Sequence, residues 1–120
     1  MDTYRDAGMR VHVGVSGDID GVSAAPRIVL YDVLREALTN VAKHAPAPEA
    51  TVHIGVDHDR VTVRVESPHG PGSAQAGGGI GLVGLEHRVA AIDGSFDARA
   101  ELGHWVVRAS LPRRLVGAAA

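Results

Sequence analysis

Val11, Val13 and Val15 alternate with His12 and Gly14 along Arg10 to Ser16, the period-two pattern of a strand with one buried face. A polar, glycine-containing connection runs from Ser16 to Pro26. Proline suits the first turn of a helix, where its missing N–H has no partner to lose, and a helical period then extends from Arg27 to Ala45. Pro46 and Pro48 end it, because neither can continue a helix. Val52, Ile54 and Val56 alternate again, Asp57 to Asp59 supply a turn, and Val61, Val63 and Val65 return as the second arm of a hairpin. Ser67 to Gly79, rich in proline and glycine, reads as a mobile loop. Ile80 to Ile92 has helical spacing and is closed by Asp93-Gly94. Phe96, Ala98, Ala100 and Leu102 form a further alternating run and Gly103 turns the chain. Trp105, Val107, Ala109 and Leu111 alternate back, with Trp105 in the core-facing set.

The order is therefore strand, helix, strand, strand, loop, helix, strand, strand. Hairpins dominate and no β-α-β rhythm is visible, which predicts an α+β, two-layer sandwich: a mostly antiparallel sheet with its helices packed on one face. At 120 residues the chain is one domain, here residues 1–112, followed by a disordered, alanine-rich tail over 113–120. Twelve basic residues against 14 acidic ones leave no footprint for nucleic acid or an anionic membrane. The absence of cysteine rules out disulfides and thiolate metal sites. No apolar run approaches the roughly 20 residues of a membrane span, so a soluble cytoplasmic domain is expected.

The chemistry concentrates on the first helix. At about 100° per residue, Asn40, Lys43 and His44 lie within roughly 80° of Glu36. Leu30, Leu34, Ala37, Leu38, Val41 and Ala45 occupy the opposite arc and face a core. An amide oxygen can join phosphate oxygens and waters around Mg²⁺, and a carboxylate one turn earlier can orient a nucleophile or take its proton. A solvated helix surface accounts for this face equally well. Lys43 and His44 can neutralise phosphate charge, although either alone is also what a helix C-terminus attracts. Gly79-Ile-Gly81-Leu-Val-Gly84 lets the backbone approach a phosphate at a helix entrance, or is simply a flexible connection. It is neither a P-loop, lacking Gly-Lys-Ser/Thr, nor a dinucleotide fingerprint, lacking a surrounding parallel unit. His53 and His58 with Asp57 and Asp59 straddle a turn and lack any metal-ligand spacing.

The stretch Tyr31-Asp-Val-Leu-Arg-Glu36-Ala-Leu-Thr-Asn40-Val-Ala-Lys43-His44-Ala resembles the N-box of the ATP-binding catalytic domain of bacterial sensor histidine kinases. It is most similar to the subgroup related to the NarX and DesK sensors, whose box begins with Glu. Gly79 to Val89 resembles that subgroup's second glycine box, and Trp105 to Pro112 its closing strand. The likeness runs from about Ala7 to Pro112, and two boxes in the right order are far more specific than either alone.

The resemblance implies a GHKL-type ATPase fold that binds Mg-ATP between the N-box helix and a lid. Asn40 would be the Mg²⁺ ligand and Glu36 the catalytic base. Lys43 and His44 would sit beside the phosphates, and Gly79, Gly81, Leu82 and Gly84 would join the lid to its helix. The family's first glycine box carries Asp-x-Gly-x-Gly, whose Asp receives the adenine amino hydrogen. Here the stretch is Val65-Glu66-Ser67-Pro68-His69-Gly70, with Ser67 at the register of the Asp. The implied partner is a dimerisation domain carrying a phosphoacceptor His, and indirectly a response regulator. The implied parent is a membrane-anchored kinase of which this chain is an excised catalytic domain or a split product. Two other readings are a GHKL serine kinase acting on an anti-anti-sigma partner and a nucleotide-free interaction module.

Overall fold

The structure, a computed structural model, describes residues 8–44, 49–68 and 79–114. Strand β1 (Arg10–Ser16) leads through a 3₁₀ turn (Ile19–Gly21) to helix α1 (Ala24–His44). Strands β2 (Glu49–Val56) and β3 (Arg60–Pro68), helix α2 (Gly79–Ala91), and strands β4 (Ser95–Glu101) and β5 (His104–Pro112) complete it. The five strands form one sheet in the order β1-β2-β3-β5-β4. Every pairing is antiparallel except β1 with β2.

The core lies between one face of this sheet and the two helices. Ala50, Val52 and Ile54, Val61, Val63 and Val65, and Val107, Ala109 and Leu111 supply the sheet side. Leu30, Val33, Leu34, Ala37, Leu38 and Val41 of α1, with Leu82, Leu85 and Val89 of α2, supply the other. The expected sandwich is thus the one observed, built largely from short branched side chains.

Four local expectations are corrected. The β1-α1-β2 segment is a parallel crossover unit, because a 21-residue helix is long enough to carry the chain back to the starting end of the sheet. Helix α1 begins at Ala24, and Pro26 sits inside its first turn, where no N–H is needed. Val13 and Val15 stay 40% and 54% exposed although they share the alternation of Val11, because β1 is an edge strand. Arg113, expected in the tail, is tied into the fold. Its guanidinium donates to the carbonyls of Gly21 and Asp57, and its backbone bonds to Ser23 and Asp59. The segments expected as a loop (69–78) and as the end of the tail (115–120) lie outside the described residues.

Candidate functional site

Strand directions place the site. β3 and β4 run opposite to β1, β2 and β5. Helix α1 returns the chain from the end of β1 to the start of β2, so it runs with β3. Helix α2 returns it from the end of β3 to the start of β4, so it runs against β3 and α1. The end of α1, the end of β3, the beginning of α2 and the beginning of β5 therefore meet at one end of the sandwich.

An ion pair registers the two helices. Arg88 of α2 donates to Asp32 of α1 at 2.9 Å, and Arg35 donates to the same carboxylate at 2.6 Å. Asp32, Glu36 and Asn40 follow one another at i, i+4 and i+8 along one face of α1. Asn40 lies roughly 12 Å beyond Asp32 at 1.5 Å per residue, and the same rise carries Arg88 back to Ile80 in the first turn of α2. The first turn of α2, whose N–H groups have no partner within the helix, is thus brought alongside Asn40.

Glu36 and Asn40 are both half-buried, and Lys43 is exposed near the end of α1. His44 closes that helix, and its side chain lies outside the described residues. Gly79 and Gly81 belong to the first turn of α2, so the glycine box is helical from its first residue. Leu82 is only 8% exposed and packs in the core, leaving its backbone rather than its side chain for a ligand. A Cβ on Gly84 would meet nothing within 4 Å, so close packing does not demand glycine there. Ser67 lies in β3 rather than in a loop, 3% exposed, and is the one buried polar residue among those described.

Glu36 and Asn40 offer hard oxygen donors, the kind Mg²⁺ prefers. Among the described residues no group of three or more His, Cys, Asp or Glu side chains could hold a metal ion. The donor set fits an ion held by one protein oxygen together with phosphate oxygens and waters. Sequence reasoning assigned no role to Asp32 or Arg88. Asp32 was legible as one more turn of the Glu36–Asn40 stripe, whereas its partner on α2 emerges only from the packing.

The opposite face of the sheet carries no helices and holds a wide depression of about 880 Å³ whose lining includes Gly14, His53, Gly55, Arg64 and Arg108. Its arginines are already paired. Arg64 donates to Glu66 at 3.1 Å, and Arg108 grips both carboxylate oxygens of Glu101 at 2.7 and 2.8 Å. Hydrogen bonds from Arg108 and then Arg99 hold the Glu101 carboxyl down to about 2. This face is a charge-laced outer surface, remote from the helix-bearing end.

No protein-family model matches the chain. Its fold is that of the catalytic domains of histidine kinases. The catalytic domain of the histidine kinase ThkA superposes with a TM-score of 0.68 at 15% identity, covering 93% of this chain and 83% of that one. Full-length ShkA, solved with AMPPNP, gives a TM-score of 0.63 at 17% identity over 92% of this chain and 27% of its own. In sequence the chain is homologous to the histidine-protein kinase/phosphatase UhpB of Salmonella typhimurium, with 32% identity over 112 residues. That match covers 91% of this chain and 22% of UhpB, so the chain spans about a fifth of its curated relative's length. No helix among the described residues is long and apolar enough to cross a membrane.

Proposed function

We propose that this chain is the Mg-ATP-binding catalytic domain of a sensor histidine kinase of the NarX/DesK-like kind. In this reading it delivers the γ-phosphoryl group to a His on a separate helical phosphoacceptor domain, for relay to a response regulator. The observation that carries the reading is the convergence of the Glu36–Asn40 face, Ser67 and the first turn of α2 at one end of the sandwich. ShkA, of the same fold, was solved with the ATP analogue AMPPNP, which supports a nucleotide as the ligand.

Mg²⁺, when bound, supplies charge neutralisation for the phosphates. The Asn40 amide oxygen would hold that ion beside the phosphates, and the first N–H groups of α2 donate to phosphate oxygens. Lys43 and His44 add positive charge at the end of α1. Glu36, one turn before Asn40, orients the attacking imidazole and takes its proton. Phosphoryl transfer asks chiefly for positioning and electrostatics, which these groups provide.

Calorimetry with Mg-AMPPNP tests the assignment. Wild type should bind, and Asn40→Asp, which places a charge where a neutral oxygen is needed, should weaken Mg-dependent binding by about tenfold or more. Equal binding by both proteins removes Asn40 from the site. Ser67 in place of the family's Asp favours a second reading, a nucleotide-free interaction module. Absence of any binding by wild type selects it.

A further inference from the structure

Trp105 is the sole tryptophan of the chain and the second residue of β5. The register sets it directly opposite Ser67 of β3 on one side and Ala100 of β4 on the other. Directly opposed residues of an antiparallel pair share a face, with Cβ atoms about 4.5–5.5 Å apart. The indole therefore stands beside Ser67 on the helix-bearing face, packed against the core yet only partly buried. It is the outermost side chain of β5 on that face, at the end where α1 finishes and α2 begins.

Building on the nucleotide reading above, we propose that Trp105 and Ser67 together form the base-binding floor of the site and accept either purine. A carboxylate selects adenine because it can only accept a hydrogen bond, which suits an exocyclic amino group and repels a carbonyl oxygen. A hydroxyl donates or accepts by rotating about its C–O bond, so it satisfies the adenine amino group and the guanine oxygen alike. The indole contributes stacking surface, to which every base has a matching face and purines the larger one. Affinity then comes from ring area and the phosphates, with little discrimination at the purine 6-position.

Intrinsic fluorescence and calorimetry with Mg-AMPPNP, Mg-GMPPNP and the cytidine counterpart test this. The expected result is that both purine analogues shift tryptophan emission and bind within about threefold of each other. The cytidine analogue should bind more weakly. Trp105→Ala should weaken both purine analogues by about tenfold and the cytidine analogue by markedly less, and Trp105→Phe should restore most of the loss. Ser67→Asp should shift preference toward adenine. A purely structural tryptophan would instead weaken all three analogues alike. That outcome, an unchanged emission on binding, or a tenfold preference for adenine in wild type overturns this inference alone. Failure of every analogue to bind overturns it together with the nucleotide reading.

Discussion

Glu101 illustrates how much a single half-buried side chain can depend on its cross-strand neighbours. It is held by Arg108 through two oxygens and by Arg99 at 2.8 Å, on the helix-free face. These bonds favour the ionised form and depress the carboxyl from its ordinary 4.5 to about 2. A depressed carboxyl favours the folded state above its unfolded value and gives up that contribution as pH falls through the folded one. Thermal melting of wild type should therefore lose a component between pH 4.5 and pH 2. Glu101→Gln should remove that component, leaving a flatter acid limb in a melting-temperature profile. The carboxylate and both arginines were visible in the sequence. Their meeting required the β4–β5 hairpin register, which sets Glu101 opposite His104 and Asp97 opposite Arg108. Ser67 makes the same point at the site: its position was readable, but its burial followed from β3 running on to Pro68.

Among the elements, α2 shows what a helix end needs. Its last turn closes with Gly94 N–H donating to the Val89 carbonyl at 2.9 Å and Asp93 N–H to Ala90 at 3.0 Å. This is the paired bonding of a Schellman cap. The left-handed residue is Asp93, with φ of 61°, and not the glycine. Gly94 is needed for space: a Cβ there would lie 2.7 Å from the Ser110 carbonyl oxygen and 2.8 Å from Leu111 Cδ2. Gly94→Ala should thus destabilise by about 1–3 kcal/mol in urea unfolding. Gly84→Ala, within the same helix and in open space, should stabilise by about 0.5–1 kcal/mol. Asp93-Gly94 was legible as a stop, but which residue bends and which makes room depends on the strand packed beneath. The ion pair between Asp32 and Arg88 belongs to this scale too. Its solvent exposure argues for a small stability effect, and its value lies in registering α2 on α1.

At the scale of the molecule, the proposed function makes this chain the nucleotide end of a phosphoryl transfer to an imidazole on a separate helical domain. On that proposal the isolated chain should hydrolyse Mg-ATP slowly, because closure over the γ-phosphate awaits the docked partner. Adding the helical phosphoacceptor domain of a cognate kinase in trans should produce acid-labile phosphate on that domain. In the proposed function the carboxylate serves the chemistry and not the binding, so Glu36→Gln should slow this transfer by about a hundredfold or more while nucleotide affinity stays within about threefold. Brisk hydrolysis by the lone chain, or transfer that survives the substitution, would remove Glu36 from its role.

Periodicity alone determined the number and order of strands and helices and the apolar face of α1, whereas the two boxes were legible only through their resemblance to a known family. The periodic features are local properties: alternation and helical spacing report which side of an element avoids water, and need no knowledge of its neighbours. The parallel pairing of β1 with β2, the exposure of Val13 and Val15 on an edge, and the tying of Arg113 to Gly21 and Asp57 were decided only in the fold. So was the juxtaposition of Ser67 with Trp105. Each joins residues far apart in the chain. Hydropathy marks a strand as buried on one face without naming its neighbour, and the neighbour follows only when every element seeks cover for its apolar face at once.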